Sequence, residues 1–249
     1  MSVISLEFFK LRHKRLFLMV TLLISVEIAW AFISVGMSIS RNPGMVGWKD
    51  IIMTLASMNS LFLPIIAAVV VSRICDMEHK GNTWKLLLSA CVKRSHIYAA
   101  KYICACLLLF YAGILQVLAS VLFGAANAFE QPLPFSLLMR FLGGTMVTNI
   151  VVISLQQWVS LAVKNQSFAL CLGMIGAFIG MTADLFPSVV RSLFVWSYYT
   201  GLCPVTYSYT GHSTVFAIRT IETSVTAVIV FIGALVYVVG SIRVSRQEI

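Results

Sequence analysis

The stretch DMEHKGNTWKLLLSACVKRSHIYAAK, Asp76 to Lys101, is the only long block of this sequence too charged to sit in lipid, and long apolar runs flank it on both sides. Asp76, Glu78 and Lys80 crowd its start, Gly81 interrupts the chain, and Asn82 is placed to cap a helix. Within that helix Trp84, Leu87, Leu88 and Cys91 recur at i, i+3, i+4 and i+7, which predicts a short amphipathic helix outside the membrane. After Val92, Lys93 and Arg94, Ser95 is placed to cap the next long apolar helix, whose first turns would hold Lys101 at the level of the lipid headgroups. Such a helix either does no more than join two spans or offers a docking face to a cytosolic partner.

Composition fixes the solvent. With 249 residues, 59% of them hydrophobic and only 11% charged, no soluble core could hide this much apolar surface, so the chain is expected to be a polytopic membrane protein. A formal charge of +9 would suggest nucleic acid in a soluble chain. Here the basic residues cluster in short loops between spans, where they set orientation instead. The six cysteines lack the spacing of a metal site or a disulfide framework, and no small-residue cleavage site follows the first apolar run.

Residues 2–15 place Ile4, Phe8 and Leu11 on one helical face and end in Arg12, Lys14 and Arg15, which predicts an interfacial helix. Six spans are then expected, at about 16–36, 51–72, 102–124, 141–163, 168–186 and 222–242, forming a single all-α transmembrane domain over 1–249. Glu27 lies about 16 Å into the first span, close to the midplane, where a carboxyl group faces a protein interior or a wet cavity, in a functional or a structural role. In the second span Pro64 removes one backbone hydrogen bond, and Asn59 lies on a nearby turn. Gln116 is in the third span, and the fourth is the most polar, with Asn149, Gln156 and Gln157 among its side chains, so it should be interior. Gly173, Gly176 and Gly180 make a small-residue stripe on the fifth, a sign of close helix contact. The aromatic segment 187–221 is broken by Gly201, Pro204 and Gly211, and short helices dipping into the outer interface are expected there.

Thirteen of the Lys and Arg residues fall on the side that carries both termini and the Asp76–Lys101 block, against five on the other, so both termini are expected to be cytoplasmic. There is no GxxxxGK[ST] phosphate loop, no HExxH and no GxSxG, and the four histidines are scattered. Nothing in the sequence points to ATP hydrolysis, metal binding or nucleophilic catalysis by this chain itself.

The arrangement of a basic interfacial helix, six spans, and a loop after the second span with Glu78, Gly81, Leu86 to Leu88, Lys93, Arg94 and Lys101 resembles ABC-2 type export permeases. More specifically, LQQWVSLAVKNQSFALCLGMIGAFIG (Leu155 to Gly180) and WSYYTGLCPV (Trp196 to Val205) resemble the permeases of lantibiotic-immunity ABC transporters of the mutacin and epidermin self-protection type. That resemblance implies a subunit of the bacterial cell membrane that pairs with a second, related permease and with two separate ATPase subunits, which bind ATP and magnesium. It also implies a cationic antimicrobial peptide as substrate, expelled from the membrane to give immunity. The segment 76–101 would be the coupling helix, with Glu78, Lys80, Gly81, Trp84, Lys85, Leu87, Leu88 and Arg94 facing the ATPase. Glu27, Asn59, Asn149, Gln156 and Gln157 would line the substrate path. Cys91 stands where many ABC-2 permeases carry a proline. An exporter of another substrate, such as a bacitracin-like drug or a lipid, would share these features, and an ion-coupled secondary transporter would use Glu27 without an ATPase.

Overall fold

Long apolar runs become helices in a membrane because no water is there to satisfy backbone N–H and C=O groups, and only an uninterrupted ladder satisfies them within one segment. The computed structural model describes residues 3–42, 46–80, 94–129, 131–163, 165–210, 213–220 and 223–246. Its helices are α1 (Val3–His13), α2 (Leu16–Arg41), α3 (Trp48–Lys80), α4 (Arg94–Ala126), α5 (Phe135–Ala162), α6 (Gln166–Thr182), α7 (Ser188–Ser192), α8 (Tyr198–Gly201) and α9 (Thr223–Arg246). Six of them, α2 to α6 and α9, are long and apolar enough to cross a membrane, so the all-α polytopic class expected from the sequence is the one observed. Alternating crossings put α1 and the end of α9 at one end of the bundle, called the termini end below.

The other end carries an antiparallel hairpin of β1 (Val205–Thr210) and β2 (Ser213–Ile218), with Val205 opposite Ile218 and Thr210 opposite Ser213. This corrects the expectation of short helices alone after the fifth span. Helical turns occupy 183–201, but VTYSYT and STVFAI are rich in β-branched and aromatic residues, and Gly211-His212 between them is a Gly-containing dipeptide of the kind that joins hairpin strands.

Helix α3 is the most buried span and packs on α2, α4, α5, α6 and α8. Pro64 lies inside it without ending it, so the Ser60 carbonyl has no N–H from residue 64 to accept. Helix α6 closes over that point through its glycines. A methyl group at Gly180 would come within 2.7 Å of the Ser60 oxygen, one at Gly173 would overlap Ala68, and one at Gly176 would overlap the Trp196 ring. Small residues are needed there because two backbones and a buried indole occupy the space a side chain would fill.

The buried face of α1 runs through Glu7 and Leu11, at 1% and 0% exposure, while Phe8 is exposed. Lys101, in the first turns of α4, is fully buried, because α1 lies across that part of the helix. The chain turns from α1 into α2 through Arg15, whose left-handed φ of 53° costs a non-glycine residue about 1 kcal/mol.

Candidate functional site

Two clusters make up most of the apolar core. Toward the termini end it is built from Leu16, Val20 and Ile24 of α2, Leu63 to Ile74 of α3, Cys104 to Ala112 of α4 and Val152 and Ile153 of α5. Toward the hairpin end it is built from Ala31 and Val35, Trp48 to Ala56, Val117, and Leu137 to Phe141. In the gap between the two clusters each helix places a buried polar residue: Glu27 on α2, Asn59 and Ser60 on α3, Gln116 and Ser120 on α4, and Thr145, Thr148 and Asn149 on α5. A polar layer thus crosses the middle of the bundle.

Gln116 is its hub. One amide nitrogen, Nε2, donates to Glu27 Oε1 at 2.9 Å and to Asn59 Oδ1 at 2.7 Å, so it ties α2, α3 and α4 together. Ser120 in turn donates to the Gln116 backbone carbonyl at 2.7 Å. A second pair lies close by, where the Tyr199 hydroxyl from α8 donates to Asn149 Oδ1 at 2.7 Å. Tyr199 is near enough to Glu27 for the two to interact electrostatically. Hydrogen bonding within this layer is incomplete: Glu27 Oε2, Gln116 Oε1, Asn59 Nδ2 and Asn149 Nδ2 are buried with no protein partner among the described residues. Two acceptors and two amide donors are therefore held ready in a setting where each unpaired polar group costs free energy. The set suits recognition of a polar or cationic group and has no nucleophile–base pair. Among the described residues no three His, Cys, Asp or Glu side chains come together as a metal site would require.

The other sequence-predicted path residues lie elsewhere. Gln156 donates to the Ala169 carbonyl at 2.5 Å and Gln157 to the Tyr98 carbonyl at 2.8 Å, so each ties its helix to a neighbour's backbone nearer the termini end. Of the coupling residues, Glu78 and Lys80 fall in the last turn of α3 and Arg94 opens α4. Gly81, Trp84, Lys85, Leu87 and Leu88 lie outside the described residues.

Sequence reasoning missed Gln116 as the hub, Tyr199 as a partner, and a second buried polar site at the termini end. There Lys101 Nζ donates to Glu7 Oε2 at 3.2 Å and to the Ile74 carbonyl at 3.1 Å, and Lys10 Nζ meets Glu7 Oε1 at 2.8 Å. Glu7 and Lys101 are each 1% exposed. This pair joins α1 to the last turns of α3 and the first turns of α4, the two helices that lead into and out of residues 81–93.

The family model for ABC-2 family transporter proteins matches residues 3–180, from α1 through the glycine stripe of α6. No curated protein matches the chain. The match covers most of the sequence, and the chain belongs to the ABC-2 transporter family. It is a multi-pass membrane protein and the membrane component of an ABC transporter, a role that implies an ATPase partner.

Proposed function

We propose that this chain is the permease subunit of an ATP-driven exporter that expels a lantibiotic or a similar cationic antimicrobial peptide from the membrane, conferring immunity or resistance. Two ATPase subunits, carrying ATP and magnesium, would dock on residues 78–94 from the cytosol, and a second, related permease would complete the transmembrane unit. The observation that carries the reading is the family match from residue 3 to 180. The mid-bundle layer of Glu27, Asn59, Gln116 and Asn149 with its unpartnered polar atoms supports it. The peptide as substrate rests on the likeness of Leu155 to Gly180 and Trp196 to Val205 to lantibiotic-immunity permeases.

In this mechanism closure of the ATPases moves the helix expected over 82–91 as a lever, with Trp84, Leu87 and Leu88 in a groove of the ATPase. Glu78, Lys80 and Lys85 would fix register more than affinity. The excess of Lys and Arg at the termini end supports a cytosolic location for that end. Ammonium or amide groups of the peptide meet Glu27 and the amides of the polar layer. Glu27 Oε2 and Gln116 Oε1, buried without a protein partner among the described residues, suit a cargo that brings N–H donors.

Two measurements test this. Leu87→Asp should abolish co-purification of the ATPase with the permease while leaving the permease folded; undiminished capture would remove the segment from the docking site. Cells carrying the permease, its ATPase and the second permease should survive a mutacin- or epidermin-type lantibiotic that kills cells lacking any one of them. Equal survival without the permease would sink the peptide reading, and protection against bacitracin alone would reassign the substrate.

A further inference from the structure

A cavity with two arginines in its wall lies at the hairpin end, apart from the mid-bundle layer. It encloses about 360 Å³ and is lined by Arg140, Gly143 and Val147 of α5, Arg219 and Thr220 after β2, and Thr226 of α9. Helix α5 has 28 residues, hence a length of about 42 Å, and overhangs a hydrocarbon core about 30 Å thick by roughly 6 Å at each end. Arg140 is five residues in from Phe135, about 7 Å along the helix, which puts it at the boundary between headgroups and acyl chains.

The charges there are unbalanced. Arg140 is exposed and makes no hydrogen bond or ion pair among the described residues. Arg219 is anchored through its Nη2, which lies against the Thr200, Gly201 and Cys203 carbonyls, while Nε and Nη1 have no protein partner among the described residues. The nearby Asp184 carboxylate is engaged by Arg191 at 2.8 Å. Burial first, and then repulsion from Arg191, pull Arg219 below its ordinary pKa, so its charge is disfavoured where it stands and an anion would relieve it.

The glycines shape the space. Gly144 is needed for packing, since a methyl group there would come within 2.5 Å of the Leu202 carbonyl. Gly143, one residue earlier, faces open room, with nothing within 4 Å of the position a methyl would take. Two guanidinium groups, two threonine hydroxyls and a glycine-sided opening make a receptor for a tetrahedral oxyanion. Because the cavity lies between two spans at headgroup depth, the anion that reaches it at high local concentration is one carried by a lipid.

We propose that the Arg140–Arg219 cavity binds the phosphate of an anionic phospholipid headgroup in the leaflet at the hairpin end. This goes beyond the transport reading and does not depend on the identity of the cargo.

The test uses the full-length chain purified in detergent, with lipid retention read by native mass spectrometry and folding read by the thermal midpoint in phosphatidylcholine. Phosphatidylglycerol should be retained in preference to phosphatidylcholine, and inorganic phosphate at millimolar concentration should not displace it. Arg140→Ala and Gly143→Leu should each weaken phosphatidylglycerol retention about tenfold with an unchanged midpoint, and Arg140→Lys should keep part of it. Wild-type retention in Gly143→Leu would overturn the proposal, because an arginine that merely snorkels to the surface needs no cavity. Displacement by inorganic phosphate, or equal retention of the two lipids, would also overturn it.

Discussion

Two of the places where the bundle buries polar groups are treated in opposite ways. At the termini end the Glu7 carboxylate receives Lys10 and Lys101, and Lys101 also donates to the Ile74 carbonyl, so the buried pair is closed by hydrogen bonds. At the middle, one amide nitrogen serves both Glu27 and Asn59, while Glu27 Oε2, Gln116 Oε1 and the Asn59 and Asn149 amide nitrogens are left without a protein partner. A closed pair fixes geometry. An open layer in the path of a cargo leaves binding capacity unused, which is the expected mark of a site whose partner arrives from outside the chain.

The largest effect is expected where the closed pair is broken. Lys101→Met leaves Glu7 buried with Lys10 alone and should lower the unfolding free energy by about 3–5 kcal/mol, seen as a shortened half-life in detergent at fixed temperature. Replacing both partners, Glu7→Leu with Lys101→Met, should recover most of that loss, since no uncompensated charge remains. If the double variant were as unstable as the single, the pair would be doing more than closing a helix junction.

The contact beside the open layer comes next. Gly176→Leu forces a side chain into the Trp196 ring and should cost about 1–3 kcal/mol, reducing the yield of folded protein. Within the layer the stability effects should be smaller and the functional ones larger. Gln116→Leu removes both interhelical bonds and should cost about 1–2 kcal/mol, and Tyr199→Phe about 0.5–1.5 kcal/mol, while each impairs export in cells.

The smallest effect concerns a thiol at the hairpin end. Burial pushes Cys203, 1% exposed, up to about 11, so in the folded protein it keeps its proton where an unfolded chain would have lost it. Its contribution to stability is therefore full below the ordinary thiol range and fades as pH rises toward 11. A variant retaining only Cys203 should resist maleimide at pH 8 when folded and react rapidly in denaturant; equal rates in both states would place the thiol at the surface.

Much of this was legible in the sequence, and the reasons differ by residue. Glu27, Asn59 and Asn149 stood out because a carboxyl or amide in an apolar run has to find a partner. Their hub did not, because nothing in the sequence around Gln116 says which of three helices its amide will face; that is decided by how α2, α3 and α4 pack. Glu7 and Lys101 are 94 residues apart, and each reads locally as an ordinary surface charge on a helix near the membrane boundary. Only the docking of α1 across α4 turns them into a buried pair. The hairpin was masked by aromatic residues, which suit the headgroup layer and a strand equally well.

The most direct measurement puts the two sites side by side in the same cells. Glu27→Gln and Lys101→Met permeases, each expressed with the ATPase and the second permease, are scored for survival on a lantibiotic and for the amount of folded permease in the membrane. The predicted result is a reversal: Glu27→Gln present at wild-type amount but unable to protect, and Lys101→Met depleted but protective in proportion to what remains. Full protection by Glu27→Gln at wild-type abundance would contradict the assignment of the open layer to transport.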